Sequence, residues 1–186
     1  MYTSCITEKA TEKQRRFQTA LLEALRHQAY EEITVTSLCA AAGLSRKTFY
    51  RLFGCKDDVL SALIDTAILE CRNGAGPEAS VTESLEVLFR YWKDQAPLLD
   101  ALDRNHMSAM LTERSVLQFF EEGADATRYL AWDDPASRQE QTVFFLSGVL
   151  GVIIYWHHTG YRRSVEEMAA IAARVLTNPV LATPEK

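Results

Sequence analysis

Apolar residues recur along this chain at intervals of three and four. Between residues 11 and 28, Phe17, Leu21, Leu22 and Leu25 fall on one side of a helical wheel with charged and amide groups between them, which predicts an amphipathic helix. Alternation with a period of two is nowhere sustained, so the expected fold class is all-α. Thr36 offers an N-cap to a short helix running to about Ala42, and Gly43 is suited to the left-handed conformation that ends it. Ser45 offers a second N-cap, with Leu44 and Phe49 spaced as a hydrophobic staple. Asp57 and Asp58 open a longer helix with an apolar stripe of Val59, Leu60, Leu63, Ile64, Ala67 and Ile68, ended by the breaker cluster Asn73 to Pro77. Further helices are predicted near 79–95, 97–106, 108–131, 136–158 and 164–177. The chain is thus expected to divide into residues 1–55, a connecting helix and linker over 56–76, and a helical body over 77–186.

The one strongly apolar run, Val143 to Trp156, is several residues short of the roughly 20 that span a bilayer. It reads as a buried helix. The N-terminal residues lack the apolar stretch of a signal peptide. Cys5, Cys39, Cys55 and Cys71 show no paired C-x-x-C spacing and lie in helical context, so neither a zinc knuckle nor a disulfide framework is indicated. A reducing, cytoplasmic setting fits, with no membrane partner. The net charge of −5 hides an asymmetry: residues 1–60 hold nine Lys and Arg against seven Asp and Glu, and the remainder eleven against eighteen. An anionic partner therefore suits the first part only.

The short helix after Gly43 carries the candidate chemistry. Successive helical residues turn about 100°, so Phe49 and Phe53 share a face while Lys47 and Arg51 point nearly the opposite way, flanked by Thr48 and Tyr50. Two short helices joined at a glycine, the second basic and aromatic outward, meet the requirements of a helix-turn-helix that enters the major groove. Lys and Arg neutralise phosphates or donate to guanine acceptors, and hydroxyls hold phosphates in register. Lys56, opening the next helix, is placed for a phosphate as well.

Residues 11–68 resemble the N-terminal domain of the TetR family of bacterial transcriptional regulators. The resemblance lies in ITVTSLCAAAGLSRKTFYRLFGCKDDVLSALI, where Thr36, Ala41, Gly43, Ser45, the Phe49-Tyr50 pair, Phe53, Lys56 and Leu60 fall on the family's pattern. It implies that Thr36, Thr48, Tyr50 and Lys56 contact phosphates and that Arg46, Lys47 and Thr48 lie nearest the bases; Ser45 at the start of the short helix and Arg51 on its outward face complete the candidate DNA-binding set. Two positions depart from the pattern: Lys47 replaces a common small residue, and Leu52 replaces a frequent His or Tyr that would touch the DNA backbone. The implied function is a sequence-specific regulator, a repressor, that binds a palindromic operator as a homodimer and is released by a small-molecule effector.

In the acidic body, the helix over 136–158 is apolar nearly all round, and Ser164 with Glu167 has capping-box spacing for the last helix. A helix apolar on every side asks for a partner beyond its own domain, which a second copy of the chain supplies. The resemblance implies a dimeric four-helix bundle, with Gly148, Gly151, Val152, Tyr155, Met168, Ile171 and Val175 at the interface. By the same analogy an effector pocket lies among Phe89, Trp92, Leu102, His106, Met110 and Phe120. No catalytic motif, metal site or cofactor motif is present: His157 and His158 diverge by about 100°, and Glu121, Glu122 and Asp125 read as a solvated helix face. Two alternatives remain open. Cys55, beside Lys56 near a helix start, suits a redox-sensing thiol; or the chain is a helical ligand-binding protein that has lost DNA binding.

Overall fold

The computed structural model describes residues 8–76, 79–121 and 135–177, and it is all-helical over that range. The helices are α1 (Glu8–Leu25), α2 (Val35–Ala42), α3 (Arg46–Leu52), α4 (Lys56–Asn73), α5 (Val81–Asp94), α6 (Ala96–Arg104), α7 (Ala109–Glu121), α8 (Arg138–His158) and α9 (Val165–Thr177), with 3-10 turns at Tyr30–Glu32 and Pro135–Ser137. Cys5, Glu122 and Asp125 lie outside the described residues.

The chain forms two compact units. The first comprises residues 1–68 and 97–108, the second 69–96 and 109–186. Residues 97–108, sequentially inside the C-terminal body, thus cluster with the N-terminal helices. In the first unit Phe17, Leu21, Leu25, Ile33, Leu38, Phe49, Phe53, Leu60 and Ile64 are all but completely buried. α1 is the element around which the others assemble. Its Gln18 amide, buried in the core, donates to the Ala62 carbonyl (3.0 Å) and to Thr66 Oγ1 (3.1 Å) on α4, so the polar group brought out of water is paired.

The second unit packs α5 against α9 and α7 against α8. Its core holds Leu85, Phe89 and Trp92 of α5, Val149, Leu150, Ile153 and Trp156 of α8, and Val165, Met168 and Ala169 of α9. Phe89 meets Trp156 edge-on at 5.6 Å, a favoured geometry for aromatic pairs. α9 begins as the spacing predicts: Glu167 N donates to Ser164 Oγ (3.2 Å) and Ser164 N to Glu167 Oε2 (2.7 Å). Ser80 and Glu83 make the same reciprocal box at the start of α5.

Three local features differ from the sequence expectation. The N-cap of α2 is Thr34, whose Oγ1 accepts from Ser37 N while the Ser37 hydroxyl closes the reciprocal bond; Thr36 is the second residue inside the helix. Either threonine is a chemically adequate cap, and Ile33, buried just before Thr34, decides between them by anchoring the extended approach. α3 ends at Leu52, so Phe53 reaches the core from an extended C-cap residue rather than from the helix. α6 ends without a glycine: His106 takes φ 56° and Met107 N donates to Leu102 O at 2.7 Å, a left-handed cap built on histidine.

Cys39 and Cys71 are buried and Cys55 is exposed. Burial pushes the Cys71 thiol up from its ordinary 9.0 to about 12, against a smaller opposing effect of a hydrogen bond with Trp92. A raised acid keeps its proton in the fold after the unfolded chain has lost it, so its stabilising contribution is complete below about pH 9 and is lost as pH rises toward 12. In a Cys5→Ser background, one thiol, Cys55, is expected to react with an aromatic disulfide reagent in the native protein and two more on denaturation. Cys71→Ala should flatten the decline in urea-measured stability above pH 9.

Candidate nucleic-acid interface

The turn between α2 and α3 is built on Gly43. Its φ of 61° is left-handed, and its N–H donates back to Ala40 O, closing α2. A side chain there would be strained by the backbone alone, and a Cβ would also lie 2.9 Å from Arg16 Nη2. Arg16, on α1, reaches across to donate to the Ala42 carbonyl at 2.5 Å and the Gly43 carbonyl at 3.4 Å. It thereby satisfies the end of α2, where unpaired carbonyls concentrate negative potential. Nothing in the local spacing of Arg16 announced this role, because its acceptors lie 26 residues away.

Ser45 then starts α3 as expected, its Oγ accepting from Thr48 N at 3.1 Å. The helix is held by its inner face. Phe49 is completely buried and meets Phe17 edge-on at 5.3 Å, and Phe53 meets the same ring at 5.9 Å. Leu52 is buried too, which accounts for its departure from the family pattern: an aliphatic side chain here serves the core.

The outer face carries Arg46, Lys47, Tyr50 and Arg51, all exposed, with Thr48 at the margin. Tyr50 has 53% of its surface in solvent although it is aromatic, and the Arg46 guanidinium lies 5.9 Å from its ring. Thr36 and Ser45 are exposed on either side of the turn. Six of the eight sequence-selected residues are thus exposed and Thr48 half-exposed. Lys56 is the exception. Its ammonium faces inward, donating to Tyr30 O at 2.7 Å and Ile33 O at 3.1 Å, with Glu31 O at 3.4 Å.

Residues 19–63 match the family model described as bacterial regulatory proteins, tetR family. The N-terminal unit carries a TetR helix-turn-helix domain. The whole chain is similar in fold to solved regulators: the dihydroxyacetone kinase operon activator DhaS (18% identity, 93% of this chain and 98% of that one, TM-score 0.60) and a TetR transcriptional regulator from Streptococcus agalactiae (17%, 90% and 95%, 0.62). A tetR-family transcriptional regulator from Streptomyces coelicolor aligns over 89% of this chain and 79% of its own at 16% identity, with a TM-score of 0.55. No curated protein matches the chain in sequence.

Of the residues selected for an effector pocket, Phe89 and Trp92 are core of the second unit, Met110 is half-buried there and Phe120 is exposed; Leu102 is core of the first unit and His106 is exposed at the end of α6. An open groove does run along α1 beside α2, lined by Arg15, Arg16, Glu23 and His27. Ala20, Ala24, Ala41 and Ala42 line it too, so its walls mix charged and apolar groups. Among the described residues no group of three or more His, Cys, Asp and Glu is arranged to hold a metal, and no helix is long and apolar enough to cross a membrane.

On α8, Gly148, Gly151, Val152 and Tyr155 lie together on an exposed face with Val143 and Phe144, and Val175 of α9 is exposed as well. Met168 is buried in its own protomer and Ile171 half-buried, so Met168 is core where the sequence reading put it at an interface. The reason is that α9 turns its Val165, Met168, Ala169 stripe onto its own unit.

Gly43→Ala is expected to cost about 1–2 kcal/mol in urea denaturation, from the left-handed backbone and the displaced Arg16. Phe17→Ala, which removes the ring shared by Phe49 and Phe53, should cost about 3–5 kcal/mol.

Proposed function

We propose that this protein is a sequence-specific DNA-binding transcriptional regulator that acts in the cytoplasm as a homodimer. In this reading it represses by occupying a palindromic operator and is released by a small-molecule effector. The observation that carries the reading is α3 itself. Phe49 and Leu52 fix its inner face in the core while Arg46, Lys47, Tyr50 and Arg51 stand outward together, and the segment lies within the stretch matched to a family of bacterial regulatory proteins. Arg46 and Lys47, in the first turn of α3, are nearest the base edges; Thr36, Ser45, Thr48, Tyr50 and Arg51 hold phosphates, the division of labour that major-groove readers show.

Dimerisation through α8 belongs to the same reading, because two recognition helices related by a two-fold axis require a palindrome. Phe144, Val152 and Tyr155 flank Gly148 and Gly151, and an added Cβ at either glycine would meet nothing within 4 Å in the protomer. An exposed apolar helix face with small residues at its centre suits close approach by a second copy. Effector binding would act through α4, which runs on from the helix-turn-helix into the second unit. Regulation then requires the effector to favour one dimer geometry over another.

Selection from a random duplex library should return a palindrome, bound with a steep negative dependence of log K on log salt. Lys47→Ala should weaken binding to that sequence by about 1–3 kcal/mol if it reads a base, or reduce the salt slope by about 0.9 if it neutralises one phosphate. Absence of any enriched sequence at low salt would defeat the reading. In sedimentation, Val152→Glu should convert dimers to monomers, and the monomer should keep its helical circular dichroism because residue 152 is solvent-exposed within one protomer.

A further inference from the structure

Lys56 has the residue type and the sequence position of a phosphate contact, and its side chain goes elsewhere. The 3-10 turn Tyr30–Glu32 leads through Ile33 to Thr34, the N-cap of α2. The carbonyls of Tyr30, Glu31 and Ile33 converge on Lys56 Nζ at 2.7, 3.4 and 3.1 Å. An ammonium has three protons and no acceptor, so these contacts occupy its donors. The same nitrogen stands 4.3 Å from the centre of the Tyr30 ring, within cation–π range. The neighbouring residue completes the lock: Tyr30 O–H donates to the Asp57 carboxylate. Burial, and then the Asp57 carboxylate, hold the Tyr30 hydroxyl proton on well above the usual tyrosine range, so that donor persists at any physiological pH.

We infer that Lys56 is a positioning residue for operator readout: it clamps the turn that sets the start of α2, and it does not contact DNA phosphate. The inference rests on the proposed regulator reading for its functional half, while the clamp itself does not depend on it. To reach a phosphate, Nζ would have to abandon two part-buried hydrogen bonds, leaving the Ile33 carbonyl without its ammonium donor and the Tyr30 carbonyl with only the 3.1 Å bond from Ile33 N. Arg46, Lys47 and Arg51 bear no such obligation in the contacts described above. The clamp also explains why position 56 wants lysine. A compact ammonium fits among three carbonyls and beneath a ring, whereas the planar fork of arginine distributes its donors differently.

The experiment uses the full chain and its selected operator, with Lys56→Met, Lys56→Arg and, for comparison, Lys47→Ala. Specific and non-specific duplex affinity are measured across a salt series at a temperature where circular dichroism shows each variant folded. Both Lys56 variants should melt earlier and lose about tenfold in operator affinity, with non-specific affinity and salt slope unchanged. A slope reduced by about 0.9 in Lys56→Met and restored in Lys56→Arg would establish a phosphate contact and overturn the inference. Earlier melting with an unchanged ratio of specific to non-specific affinity would overturn it too, leaving Lys56 a stabilising residue without a part in readout. If Lys56→Met does not fold, Lys56→Arg decides alone, because a phosphate contact predicts full affinity for it and a clamp does not. If the unaltered protein binds no duplex, the regulator reading fails, and the melting shifts still decide whether the clamp exists.

Discussion

The Phe17 ring of α1 stands edge-on to both Phe49 and Phe53, and the presentation of the basic surface depends on that contact. α3 is seven residues long, far below the length at which a helix is stable by itself in water. Its direction must therefore be imposed by what its inner face touches. Phe49 within the helix and Phe53 just beyond it converge on one ring from α1, so the two ends of α3 are referred to the same point. Arg16, one residue earlier on α1, ties the last carbonyls of α2. A single turn of α1 thus governs both arms of the helix-turn-helix, and the angle between them follows from where Arg16 and Phe17 sit rather than from the turn residues alone.

A second set of ties works on the other end of α2. Lys56 and Asp57 grip the 30–33 turn from α4. From α6, Asn105 Oδ1 accepts from Tyr30 N at 2.7 Å and Arg104 Nη1 donates to Arg26 O at 2.9 Å. These bonds give a physical reason for residues 97–108 to cluster with the N-terminal helices. They also explain the left-handed His106: the chain has to reverse immediately after Asn105 while Asn105 keeps its side chain on Tyr30 N and Ala101 O.

What could be read in the sequence was the chemistry that acts over one helical turn. Ser45 and the Ser164–Glu167 box cap the helices they were expected to cap, and Gly43 takes the conformation that only glycine adopts cheaply. The basic outward face of α3 was legible for the same reason, since helical periodicity assigns faces without knowledge of partners. Long side chains were not legible. Arg16 and Lys56 each have about four rotatable bonds and find acceptors more than 20 residues away in sequence, so their direction is a tertiary property. The choice between Thr34 and Thr36 as a cap, and the use of His106 where a glycine is usual, were likewise settled by packing around them.

α8 shows why a nearly all-round apolar helix need not be wholly enclosed by its own chain. One side, Val149, Leu150, Ile153 and Trp156, is core; the other keeps Phe144 and Tyr155 about two-thirds exposed, at 68% and 67%. Glycine in an exposed helix is about 1 kcal/mol worse than alanine. At Gly43 the positive φ accounts for the residue, but Gly148 and Gly151 are in α8 with no neighbour that a methyl group would strike. Helix stability favours a larger residue at these two positions, and the protomer leaves room for one beside the exposed rings. Nothing within the protomer accounts for glycine at these positions, and close approach of the proposed second copy along that face would account for it.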